Sequence, residues 1–164
     1  MIRRLSLAAL IAVPLIAVCA PLAAKDSLGV FGQWGAFHDA DGPRCYAIAA
    51  GGRRGDFAPF ASVGTWPGQE VRGQVHFRLS RRTARNTAIR LRVGSQEFPL
   101  TGGGGDAWAR DGRMDAAIVA AMRSAGRMTI SARSADGRNF SDSYSLEGAA
   151  TAMDAASVGC TGRR

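Results

Sequence analysis

Two cysteines place the tightest constraint on what this chain can fold into. Cys45 lies in the strand-like run Arg44-Cys45-Tyr46-Ala47-Ile48-Ala49-Ala50, and Cys160 stands 115 positions further on. The third cysteine, Cys19, falls in an apolar leader, so after export Cys45 has one covalent partner within the chain. In an oxidising compartment a single intramolecular bridge is the simplest outcome. It would close almost the whole mature chain into one loop, which the chain-entropy model values at about 4–5 kcal/mol. The fold must then bring an early strand and the far end of the chain together. A catalytic thiolate at Cys45 would instead need a positioned base, and the two histidines, His38 and His76, sit in no recognisable motif.

Export is read from residues 1–24. Arg3 and Arg4 form a positive start, and Leu5 to Val18 is an apolar run too short to span a bilayer comfortably, the pattern of a secretory signal. Cleavage after Ala24 is preferred over Ala20, which would leave Pro21 first in the product. Val18 before Cys19 argues against lipidation of that cysteine. Removing 24 of the 164 residues leaves 140, enough for a single β-rich domain over 25–164 with its own core. No second apolar stretch approaches membrane-spanning length. Loss of Arg3 and Arg4 takes the formal net charge from +8 to +6, which favours anionic partners in general.

Along the chain, period-two alternation dominates. Gly29 to Phe37 reads as a first strand, the turn formers Asp39 to Pro43 follow, and Cys45 to Ala49 is a second strand. Phe60 to Trp66 is a third. Residues 74–80 put Val75, Phe77 and Leu79 on one face and Gln74, His76 and Arg78 on the other; residues 88–94 repeat this with Ile89, Leu91 and Val93 inward and Arg90 and Arg92 outward. Pairing of these two strands would gather His76, Arg78, Arg90 and Arg92 on one outer face, with Arg81, Arg82 and Arg85 at its rim. That is the candidate face for an anionic partner. Aromatic residues do not interleave with these arginines, which argues against nucleic acid.

Gln96 to Leu100 continues as strand into the loop Gly102-Gly103-Gly104-Gly105, which lacks the lysine and hydroxyl residue of a phosphate-cradling loop. Asp111 caps a helix over about 113–125, with Asp115 in its first turn and a core stripe of Met114, Ile118, Met122 and Ala125. Arg127 to Ser134 returns to strand, Asp136-Gly137 is a hairpin signal, and Phe140 to Leu146 is the last strand. A short helix over about 148–158 then carries the chain to Cys160. The expected fold is mainly β, a compact antiparallel β-sandwich or partly open barrel with one central and one C-terminal helix.

Asp142 shares its parity with Phe140, Tyr144 and Leu146, so it is a carboxylate on an otherwise apolar face. Burial there demands a cationic or hydrogen-bonding partner, and a structural ion pair is favoured over catalysis. Hydrolytic acid–base chemistry would need a second placed carboxylate, which the sequence does not identify. Asp142 and His76 remain the residues on which an enzyme would be built. No metal-ligand spacing or cofactor motif is present, and none is expected. Exposed indoles at Trp34, Trp66 or Trp108 would instead indicate docking to another envelope protein.

Several patches together resemble the invasion-associated locus B family of exported alphaproteobacterial proteins. They are Phe31-Gly32-Gln33-Trp34 shortly before Cys45-Tyr46-Ala47-Ile48, the central basic segment, the helix beginning Asp115-Ala116-Ala117-Ile118, and the ending Tyr144-Ser145-Leu146-Glu147-Gly148-Ala149-Ala150. The resemblance implies a compact, mostly β domain in the periplasm or associated with the outer envelope. It brings no reaction, cofactor or catalytic residue. Many members carry a further mid-domain cysteine pair, absent here between Gly102 and Asp111, and Cys160 lies beyond the usual family ending. The expected function is a non-catalytic exported protein that binds anionic envelope components or another envelope protein.

Overall fold

The computed structural model describes residues 25–52 and 55–161. The leader, its cleavage site and Cys19 lie outside the described residues. The elements in order are β1 (Asp26–Phe31), β2 (Trp34–Asp39), β3 (Arg44–Ala50), β4 (Phe60–Trp66), β5 (Val71–Arg78), β6 (Ile89–Val93), β7 (Gln96–Gly103), β8 (Asp106–Trp108), α1 (Gly112–Ser124), β9 (Arg127–Arg133), β10 (Asn139–Ser145) and α2 (Ala149–Cys160). The strands form one antiparallel sheet in the order β1-β2-β3-β4-β5-β8-β7-β6-β9-β10. This is the mainly β class with a central and a C-terminal helix. Of the two forms expected, the open sheet matches the partly open barrel, because its far strand returns towards its beginning.

That return is made by hydrogen bonds between the ends of the strand order. The buried Trp34 indole donates from Nε1 to the Ser145 carbonyl at 2.9 Å, and the Gln33 amide donates to the Glu147 carbonyl at 3.3 Å. The segments Phe31–Trp34 and Ser145–Gly148 therefore interlock. Gly148 holds φ at +82°, and a Cβ there would meet the Phe31 carbonyl oxygen at 1.9 Å, so the crossing has room only for glycine. Gly32 faces the same constraint from the other side, with φ at +55° and the Glu147 oxygen 2.6 Å from where its Cβ would be.

Alternation places the core as expected along most strands. Val75, Phe77 and Leu79 point inward from β5 and its end, Leu91 and Val93 from β6, and Met128 and Ile130 from β9. In α1, Asp111 accepts the Met114 amide as N-cap at 2.9 Å, and Ile118, Ala121 and Met122 bury against the sheet. Helix α2 packs on β2 and β3, and its last residue closes the Cys45–Cys160 disulfide, with a Cα–Cα distance of 5.8 Å.

Three expectations are corrected. The stretch 29–37 is two strands folded into a hairpin at Gly32-Gln33, since the left-handed glycine reverses the chain where its alternation predicts one unbroken strand. A short extra strand, β8, follows the glycine loop and pairs with both β7 and β5. Most consequentially, β5 and β6 are not neighbours, because β8 and β7 lie between them. The connection 79–88 is too long for a tight hairpin to dictate adjacency, and it is held at the end of β9 instead. There the Ala84 amide donates to the Arg133 carbonyl and the Ala135 amide to the Arg82 carbonyl.

Candidate anion-binding face

With β5 and β6 apart, the expected basic face divides into two groups of different character. Around β5 the cations are already engaged. Asp106 on β8 accepts from His76 Nε2 at 3.0 Å with one oxygen and from Arg78 with the other. The His76 ring stacks on Trp108 at 5.0 Å between centroids and meets the edge of Phe60 at 5.3 Å. The guanidiniums of Arg78 and Arg82 lie over the Phe57 ring at 4.0 and 5.6 Å. His76, Arg78 and Arg82 are each matched by a carboxylate or an aromatic face. Arg81 is half-buried, and Arg85 is exposed in the connection beyond β5.

Around β6 the arrangement differs. This strand pairs with β9, and β9 with β10, so their outward side chains form rows across three strands. One row is Arg92, Thr129 and Ser143; the next is Arg90, Ser131 and Ser141; Arg133 stands opposite Asn139. Arg127 opens β9 on the same parity. Sequence reasoning found Arg90 and Arg92 but not their partners Arg127 and Arg133. The signal was there in the alternation of β9, where Met128, Ile130 and Ala132 turn inward and leave both arginines outward.

The electrostatics of this face are unbalanced. Arg90 donates to Glu97 on β7 at 2.8 Å, and Arg133 Nε donates to the Gly137 carbonyl at 2.7 Å. Among the described residues neither Arg92 nor Arg127 forms a salt bridge, although Glu97, engaged by Arg90, stands opposite Arg92 in the β6–β7 register. Like charges gathered on one face of a sheet cost stability. Interspersed hydroxyls relieve part of that cost, and Thr129 and Ser143 bond one another at 2.9 Å. Guanidiniums supply forked N–H donors and hydroxyls supply adaptable donors and acceptors, a combination suited to phosphate or carboxylate oxygens.

The two aspartates in the core have structural positions. Asp142 is buried and accepts the Ser80 amide at 2.8 Å; among the described residues its partner is this backbone donor and not an arginine. Beside it, burial and the Asp142 charge push the Tyr144 hydroxyl well above its ordinary range. Asp115 is also buried and accepts the Val75 amide at 2.8 Å. Burial raises its pKa, the Val75 hydrogen bond opposes that rise, and the Asp111 charge adds to it. Of the tryptophans, Trp34 is buried, Trp66 half-buried and Trp108 37% exposed, so the indoles form no joint apolar patch.

Among the described residues no cluster of histidine, cysteine and carboxylate side chains could hold a metal ion, and no helix is long and apolar enough to cross a membrane. No curated protein and no solved structure matches the chain significantly. The family described as Invasion associated locus B (IalB) protein does match, over residues 69–157. That span holds β5 to β10, α1 and nearly all of α2, and with them the whole arginine and hydroxyl face. The match covers more than half of the chain, which is therefore a member of the invasion associated locus B family.

Proposed function

We propose that this protein is an exported, non-catalytic component of the bacterial envelope that binds anionic envelope surfaces through the outer face of β6, β9 and β10. The observation that carries this reading is that Arg92 and Arg127 form no salt bridge among the described residues and stand beside rows of hydroxyl side chains. The leader over residues 1–24 and a disulfide suited to an oxidising compartment support export. The enzymatic alternative, built on Asp142 or His76, has less support. Asp142 is committed to the Ser80 amide within the core, and His76 is enclosed by Asp106, Trp108 and Phe60.

Co-sedimentation with phosphatidylglycerol vesicles tests the proposal. Wild-type protein should bind these vesicles and not phosphatidylcholine ones, with affinity falling as salt is raised. The double reversal Arg92→Glu/Arg127→Glu should weaken binding by at least about tenfold, each basic side chain near an anionic surface contributing roughly 1 kcal/mol. Unchanged binding in that variant would mean that the arginines only keep the protein soluble.

A further inference from the structure

A cleft of about 1080 Å³ opens between α1, α2 and the edge where β4 runs into β5. Its origin is legible in the helices. The edge of α1 that carries Ile118, Ala121 and Met122 is buried on the sheet, while Ala116, Val119 and Ala120 line the cleft. Facing them, α2 contributes Met153 and Ala156, with Val63 of β4 also in the wall. Small side chains on both helices leave the space between them unfilled. The helices are tied at the surface by Arg123 and Asp154, with N–O distances of 2.6 and 3.3 Å.

Three charged side chains also line the cleft, Glu70, Arg72 and Arg123, and of these Arg123 is already engaged by Asp154. Glu70, held at φ +56° after the single helical turn Pro67–Gln69, and Arg72 at the start of β5 both line the cleft. They are not paired with each other, and neither has another ionic partner among the described residues. The volume lies at the upper limit of small-ligand sites, and the wall combines apolar side chains from the two helices with polar ones that include Thr65, Ser157 and Thr161.

We propose that this cleft binds a single-chain zwitterionic phospholipid, a lysophosphatidylethanolamine. Its acyl chain lies along the alanine and valine wall between α1 and α2, Arg72 receives the phosphate and Glu70 the ammonium. The opposed, unpaired charges decide the headgroup. A purely anionic amphiphile would satisfy Arg72 and be repelled by Glu70, and a neutral chain would leave both groups unmatched. The site is separate from the arginine face, which meets the surface of an assembled bilayer, whereas the cleft takes one monomeric lipid.

Calorimetric titration of the purified protein with lysophosphatidylethanolamine below its critical micelle concentration tests this. Saturable binding near one equivalent is expected. Arg72→Gln should weaken lysophosphatidylethanolamine and lysophosphatidylglycerol alike by roughly tenfold or more, whereas Glu70→Gln should weaken only the former. Ala120→Trp fills the cleft from an exposed helix position and should abolish binding; Ala116→Phe serves the same purpose should that variant fail to fold. Arg92→Glu/Arg127→Glu should bind the monomeric lipid as wild type does, so the cleft and the arginine face can fail independently. No saturable binding by wild type, or undiminished binding by the filled variants, overturns the proposal. So does a dimer in light scattering that Ala120→Trp dissociates, which would assign the cleft to a second copy of the chain.

Discussion

Two buried aspartates clamp the same stretch of backbone. Asp115 from α1 takes the Val75 amide and Asp142 from β10 takes the Ser80 amide, within and just beyond β5. Strand β8 covers only His76 to Arg78, so Val75 and Ser80 flank the part of β5 that it pairs with. A carboxylate at each position satisfies a donor whose burial without a partner would cost about 1–3 kcal/mol. The oddity of Asp142 was visible in its parity, but the identity of its partner was not, because Ser80 is 62 residues away. Asp115 is legible as a first-turn charge, and it also falls with Ile118 and Met122 on the buried side of the helix.

The environment of Asp115 gives a pH dependence of definite sign. Its folded pKa is raised, so between the ordinary carboxylate range and that raised value the folded state holds the extra proton. Stability contributed by this residue is therefore present at low pH and is lost as pH rises through that window. Asp115→Asn keeps an acceptor for the Val75 amide and cannot ionise. Urea midpoints should show wild type losing ground to this variant as pH rises above the ordinary carboxylate range, while Asp115→Ala should be destabilised by about 1–3 kcal/mol. The difference between variants is the relevant quantity, since Asp111 and Asp154 are lowered by the Met114 amide and by Arg123 and act in the opposite sense.

At the scale of elements, local chemistry made some neighbours legible and left others hidden. Asp136-Gly137 fixes the β9–β10 hairpin, with Gly137 at φ +85°, and the alternation of each strand fixes which side chains enter the core. Pairings between β5 and β8, and between β6 and β9, follow from packing across the whole sheet and leave no signature in any short window. That is why Arg90 and Arg92 were identified correctly as outward residues and assigned the wrong companions. The same limit hid the role of the two segments Phe31–Trp34 and Ser145–Gly148, which turn out to be the two halves of one contact. Gly148→Ala should cost about 2 kcal/mol or more, through positive φ and the collision with the Phe31 carbonyl. Thermal unfolding checks this against Gly103→Ala, where the added methyl meets open space and the change should be small.

For the whole molecule, the disulfide and the interlock join the same two regions by different means. The bridge runs from β3 to the end of α2 and spans 115 positions, so Cys160→Ala should lower stability by about 4–5 kcal/mol, as read from denaturant unfolding with and without reductant. A loss much below that would mean that the unfolded chain already keeps its ends close. Either way the first four strands depend on the last helix. Helix α2 covers β1 to β3, and Trp34 finishes its hydrogen bonding only on Ser145. A polypeptide emerging N-terminus first thus carries β1 to β4 uncovered by α2 until that helix appears. Packing of this half of the sheet is deferred until α2 has emerged, leaving the early strands in need of protection from one another until then.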